Sequence, residues 1–208
     1  MKILFQCDSI TDCGRNRENN CLGKGYPVMV AGELGYAEPG CHTFINKGIS
    51  GNRVVDVYAR IKMDGWNLEP DLISLLIGVN DVWHEVGANH NGVDAVRFEK
   101  VLRMLIEDTK AVLPNVKFML MEPFVLEASA TAGHWEYFKE EVALRAAVVK
   151  KVAAEYGLSF VPLQDKLNEA CKLAPADYWL ADGVPPTPAG HRLLTNAWLE
   201  VYKRDIAK

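Results

Sequence analysis

An α/β fold built on a parallel sheet is predicted by three observations on this 208-residue chain. Short apolar runs alternate with longer stretches of helical periodicity. The connections between them are short. One run, Asp71 to Ile77, is apolar almost throughout, as a strand covered on both faces is. Alternation of this kind gives a parallel sheet with helices on both sides, and five strand-like runs predict five strands.

The elements follow in order. Lys2 to Gln6 is the first strand and ends at the polar turn Asp8-Ser9-Ile10-Thr11-Asp12. Tyr26 to Leu34 is helical, with Gly35 as its expected stop. Thr43 to Asn46 is the second strand and leads into Lys47-Gly48-Ile49-Ser50-Gly51-Asn52. Val54 to Met63 places Val54, Val57, Tyr58 and Ile61 on one helical face. Asp71 to Ile77, the third strand, runs into Gly78-Val79-Asn80-Asp81. A helix over about 93–112 ends at Pro114-Asn115. Lys117 to Met121 is the fourth strand, closed by Glu122-Pro123. Leu126 to Trp135 lacks periodicity and reads as a loop near the surface. Tyr137 to Tyr156 is amphipathic and stopped by Gly157. Leu158 to Val161 is the fifth strand; Gln164 to Ala170 and Pro188 to Tyr202 are the last helices. No repeat, linker or change of composition divides the chain, so residues 1–208 read as a single domain.

Composition narrows the function. A 49% hydrophobic content excludes intrinsic disorder. No apolar run approaches the roughly 18 residues of a membrane span, and no membrane partner is expected. The opening segment meets Asp8 too soon for a secretory signal. A formal charge of −4 without a basic stripe argues against nucleic acid. The five cysteines (Cys7, Cys13, Cys21, Cys41, Cys171) form no CxxC pair. Reduced thiols in a cytoplasmic protein are therefore expected, with neither a structural zinc nor a disulfide scaffold.

In parallel α/β sheets, ligands bind beyond the carboxyl ends of the strands. Asp8-Ser9, Ser50-Gly51, Asn80-Asp81 and Glu122 each lie just past such an end. Ser9 serves equally as a helix N-cap or as a nucleophile whose own N–H faces a forming oxyanion. Gly51 adds an N–H with no side chain in the way, and Asn80 adds an amide. Donors from three loops make an oxyanion hole for acyl transfer. Trp83 reads equally as a stacking surface for a sugar or acyl group and as a filler under a loop. Glu122 is expected to hydrogen-bond a neighbouring loop, and Arg15 and Arg53 carry no assigned role.

Four blocks of sequence also carry a resemblance. Phe5-Gln6-Cys7-Asp8-Ser9-Ile10-Thr11-Asp12-Cys13-Gly14-Arg15, Ile49-Ser50-Gly51-Asn52-Arg53-Val54, Ile77-Gly78-Val79-Asn80-Asp81-Val82-Trp83 and Ala181-Asp182-Gly183-Val184-Pro185-Pro186-Thr187-Pro188-Ala189-Gly190-His191 resemble, in order, the blocks of the SGNH (GDSL-type) hydrolases. The chain looks most like their bacterial carbohydrate acetylesterase branch, with Trp83-His84 after the third block. The resemblance implies a flavodoxin-like three-layer α/β/α sandwich and serine-dependent hydrolysis of a small ester, without metal or other cofactor. It implies Ser9 as nucleophile, an oxyanion hole from the N–H groups of Ser9 and Gly51 and the Asn80 side chain, and Asp182 as the acid that orients a base. Trp83 and His84 are expected at the substrate.

Two positions depart from the family pattern. The general-base histidine falls at Pro185, which cannot take a proton, and a serine hydroxyl without an acceptor is a poor nucleophile. Cys7 replaces a glycine, so strain at the strand-to-helix turn is expected; Cys7 itself reads as a buried thiol. Of the five histidines, His191 is expected to face solvent or cap its helix. His84 reads as a cleft or structural residue, with the part of substitute base also weighed. His42, His90 and His134 read as surface residues. Three functions compete: an esterase crippled at its base, a non-catalytic ligand-binding protein on the same fold, and a flavodoxin-like nucleotide binder. The last lacks any GxGxxG or Walker loop after the first strand. A homo-oligomer is left open.

Overall fold

Alternation of side chains along the strands decides the layers. The computed structural model describes residues 1–87 and 90–207. The strands are β1 (Lys2–Cys7), β2 (Thr43–Asn46), β3 (Leu72–Leu76), β4 (Lys117–Met121) and β5 (Ser159–Val161). All pair in parallel, in the order β2-β1-β3-β4-β5. Ile3, Phe5, Leu72, Leu76, Met119 and Met121 point to one face, while Leu4, Ile73, Leu75, Phe118 and Leu120 point to the other. Both sets are buried, which is why these strands read as unbroken apolar runs.

The first face is covered by α2 (Tyr26–Ala37) and α9 (Pro188–Val201), through Tyr26, Val30, Leu34, Leu194 and Trp198. Trp198 also donates its indole N–H to Ser74 Oγ at 2.9 Å, so its one polar atom is satisfied inside the core. The second face is covered by α3 (Val54–Asp64), α5 (Ala95–Val112) and α6 (Trp135–Tyr156), through Val54, Val57, Phe98, Leu102 and Val149. The result is the expected three-layer α/β/α sandwich with a five-stranded parallel sheet.

Shorter helices complete the chain: α1 (Ser9–Asp12), α4 (Val79–Val86), α7 (Gln164–Ala170) and α8 (Ala176–Trp179). The turns expected at Ser9 and Val79 are thus helices. Gly35 does not stop α2. It lies exposed inside the helix, which continues to Ala37 and leaves helical geometry at Glu38, before Pro39-Gly40. A glycine on a solvent-facing turn costs only about 1 kcal/mol relative to alanine, and packing of Tyr26, Val30 and Leu34 outweighs that. Gly157 does end α6, in the left-handed region at φ 63°.

Strand order reverses at β1: the chain goes outward to β2, then crosses to β3 on the other side. The crevice at such a switch point is where ligands bind in open α/β sheets. Ser9 follows β1 and Asn80 follows β3, so the two flank it.

Candidate active site

Asp8, the residue after β1, is fully buried. Its Oδ1 accepts the Ile10 N–H at 2.9 Å, which caps α1, and the Cys7 thiol at 3.1 Å. Its Oδ2 has no hydrogen-bond partner among the described residues. Burial pushes the Asp8 carboxyl up to about 6. Ser9 is half-buried at the start of α1, and no described residue hydrogen-bonds its hydroxyl.

Cys7 corrects one expectation. Its φ is not in the left-handed region, so the turn does not demand glycine and no backbone strain arises from the side chain. The thiol is buried and packed in the core, and burial raises its pKa well above the usual thiol range. A thiol held protonated is no nucleophile.

The second loop is laid against the first. The Ile49 N–H reaches the Cys7 carbonyl at 3.0 Å, and the Ser50 N–H reaches Asp12 Oδ2 at 3.0 Å. Gly48 has to be glycine, since a Cβ there would stand 2.4 Å from the Asp12 nitrogen. Gly51 has φ +82°, and a Cβ on it would meet only His84 Nε2, at 4.0 Å. Gly51 therefore faces open space walled by His84.

The third loop is tied to the second. Asn80 Nδ2 donates to the Asn52 carbonyl at 3.2 Å. Asp81, fully buried, accepts the Val54 N–H with both oxygens, at 3.1 and 3.2 Å. Burial pushes its carboxyl up to about 7, and the nearby Asp8 adds to that. Arg60 joins the same assembly through Asn52 Oδ1 at 2.7 Å and the Cys7 carbonyl at 3.3 Å. The loop carrying Gly51 thus ties together the start of α1, which carries Ser9, and the start of α4, which carries Asn80.

Asp182 lies in a tight hairpin before α9. Its Oδ1 accepts the Val184 N–H at 3.2 Å, and its carbonyl accepts the Ala130 N–H at 3.0 Å. Gly183, at φ +112°, is pressed against the Leu126–Thr131 turn: a Cβ would come within 2.6 Å of Leu126 O and Thr131 Oγ1. Thr131 is buried and closes that turn on Leu126 and Ala128, so the segment read as a surface loop has an anchored interior. Pro185 is exposed, and its carbonyl accepts the Ala181 N–H at 2.9 Å.

His191 overturns the expectation of a solvent-facing or capping residue. It is 3% exposed. Its Nδ1 accepts the Tyr26 N–H at 3.1 Å, which leaves the ring proton on Nε2, 3.3 Å from Cys13 Sγ. Burial lowers its pKa to about 4. A ring so held takes no proton from Ser9; it straps the start of α2 and the end of α1 to α9.

The remaining expected residues are also placed. Glu122 accepts the Leu163 and Gln164 N–H groups at 2.6 and 2.9 Å. Arg15 holds the Gly48 carbonyl at 2.6 Å, and Arg53 forks onto Asp56. Trp83 is half-buried, with its ring 5.2 Å from that of Phe138. A cavity of about 440 Å³ between α6 and α7, lined by Trp135, Val142, Ala146 and Gln164 among others, contains none of the candidate catalytic groups. Among the described residues no cluster of His, Cys, Asp and Glu is arranged to hold a metal ion, and no helix is long and apolar enough to cross a membrane. Sequence reasoning missed the buried Asp8–Asp81 assembly and α4. The helix had a signal: Val79, Val82, Trp83 and Val86 recur at helical spacing.

Known proteins resemble this chain in sequence and in fold. Residues 8–193 match the sequence profile of the GDSL-like lipase/acylhydrolase family. The acetylxylan esterase of Geobacillus stearothermophilus is 38% identical over 212 residues, covering 95% of this chain and 92% of that one. A crystal structure described as that of a GDSL-like lipase from Parabacteroides merdae superposes with a TM-score of 0.92 at 38% identity, covering 97% and 95% of the two chains. The Geobacillus enzyme superposes with a TM-score of 0.85 at 36% identity, covering 96% and 93%. That enzyme has also been solved as catalytic mutants of a serine, of an aspartate and of a histidine, the last two standing three positions apart.

Proposed function

The chain belongs to the GDSL-like lipase/acylhydrolase family and is an ester hydrolase of that kind; within it, we propose that the chain acts on small acetyl esters of carbohydrate through Ser9, in a form slowed by proline at position 185. The carbohydrate part rests on the likeness to the acetylxylan esterase. Ser9 Oγ is the attacking atom. The Ser9 and Gly51 N–H groups and Asn80 Nδ2 receive the negative charge that develops on the ester's carbonyl oxygen.

The observation that carries the reading is the contrast between intact donors and an absent base. Asp182 keeps a carboxylate whose Oδ1 is spent on Val184 and whose Oδ2 has no described partner. Three positions on, where the relative's aspartate and histidine spacing calls for an imidazole, stands exposed Pro185. Without the base, a triad hydrolase retains on the order of 10³-fold over water, from its oxyanion hole and binding. That same contrast supports a second reading, in which the pocket binds its ester or acid without turning it over. Hydrolysis of p-nitrophenyl acetate by the parent and by Ser9→Ala separates the two. A slow rate that disappears with the substitution supports the esterase, and a rate indifferent to it supports the binding protein.

A further inference from the structure

Four of the five histidines are engaged or placed elsewhere. His42 lies before β2, at the amino end of the sheet, with Nε2 on Glu38 at 2.8 Å. His90 Nδ1 contacts the Glu85 carbonyl at 2.9 Å. His134 is exposed at the start of α6, and His191 is held by Tyr26 and Cys13. His84 is different. It stands one helical turn after Asn80 on α4, so the two side chains share a face. Asn80 on that face reaches Asn52, and His84 Nε2 reaches the space before Gly51. The ring is half-buried and makes no hydrogen bond with a described residue.

We propose that His84 is a further donor of the oxyanion pocket, hydrogen-bonding through Nε2–H the same acyl oxygen that accepts the Gly51 N–H. This rests on the reading of Ser9, Gly51 and Asn80 as the acyl site. Position argues for a donor rather than a substitute base. A Cβ built on Gly51 would come within 4.0 Å of His84 Nε2, so the imidazole stands beside the residue whose N–H is read as an oxyanion donor. The base of a triad receives the serine proton on the side of its orienting carboxylate, here Asp182. The proposal identifies the ligand class as well: a small carboxylate, the product acid, presents its oxygens to the same donors and binds the parent chain without any turnover.

The test uses the parent chain with ¹⁵N-labelled histidine, titrated with acetate at constant pH and ionic strength. The His84 ring resonance, assigned by its loss in His84→Gln, shifts saturably while that of His191 stays in place. A His84 ring resonance that does not move overturns the proposal. A second measurement uses the Pro185→His protein and p-nitrophenyl acetate. His84→Ala lowers kcat at least about tenfold with little change in KM, and His84→Gln, which keeps an N–H donor, recovers most of the loss. An unchanged kcat in His84→Ala also overturns the proposal. Rates indifferent to Ser9→Ala count instead against the esterase reading, and the acetate titration then decides the His84 contact by itself.

Discussion

Replacing Pro185 by histidine tests the chemistry at small structural cost. Pro185 is exposed, has no N–H to lose, and uses only its carbonyl, toward Ala181. Pro186 behind it holds residue 185 extended, a conformation open to histidine. Loss of proline's restriction of the unfolded chain costs about 0.4–1 kcal/mol, so the variant stays folded. The new ring meets a prepared partner: Asp182 Oδ2 is available while Oδ1 stays on Val184. Removing the histidine of a triad costs on the order of 10⁶-fold. A ring restored without refinement of its neighbours regains part of that, about 10³-fold in kcat, or roughly 4 kcal/mol of barrier. The assay is hydrolysis of p-nitrophenyl acetate by Pro185→His, with Pro185→His/Ser9→Ala as control and circular dichroism to establish folding. A folded variant no faster than its parent, or one whose gain survives loss of Ser9, refutes the assignment of Ser9 and Asp182 as a triad awaiting its base.

Three further outcomes follow from the buried groups and the hairpin. His191 titrates at about 4 in the fold against 6.5 ordinarily, so the unfolded chain takes the proton first on acidification. Its contribution is complete above 6.5 and is lost as pH falls toward 4, roughly 3 kcal/mol in all. Urea denaturation of His191→Gln should show a correspondingly weaker loss of stability over that window, and an unchanged slope counts against it. Asp8 acts in the opposite direction. With its carboxyl raised from 3.8 to about 6, its stability contribution is present below 3.8 and is lost as pH rises through 6. Asp8→Asn should therefore gain on the parent by roughly 3 kcal/mol between pH 4 and 8, and the idea fails if the difference between the two proteins is the same at both. Gly183→Ala forces a Cβ against Leu126 and Thr131 at φ +112°. It should lower stability by about 2 kcal/mol or more and disturb Asp182, visible as a lower melting temperature and, in the Pro185→His background, a lower kcat.

Strands were legible because both faces of the sheet are buried, and a short continuous apolar run such as 71–77 suits a strand covered on two sides. The loops bearing Ser9, Gly51 and Asn80 were legible for a topological reason: each had to emerge at the carboxyl end of a strand. What escaped depended on partners remote in sequence. His191 looked like a surface residue because its partners, Tyr26 and Cys13, lie on the far side of the chain's length. The strain expected at Cys7 came from the family's glycine, whereas the backbone there is ordinary β and the thiol finds Asp8. α4 was hidden behind the polar Asn80-Asp81 pair at its start, although its apolar spacing was present.

The ties that hold the rim together run from His191 to Tyr26, from Asp81 to Val54, from Asp12 to Ser50 and from Asn80 to Asn52. None passes through position 185. Position 185 therefore lies outside these ties, and on the proposed reading a substitution there slows the chemistry without slackening the frame. On the proposed reading of Ser9, Gly51 and Asn80 as the acyl site, such a frame can outlive its reaction: a lineage that loses the imidazole keeps a preformed receptor for acyl oxygens, one codon away from hydrolysis.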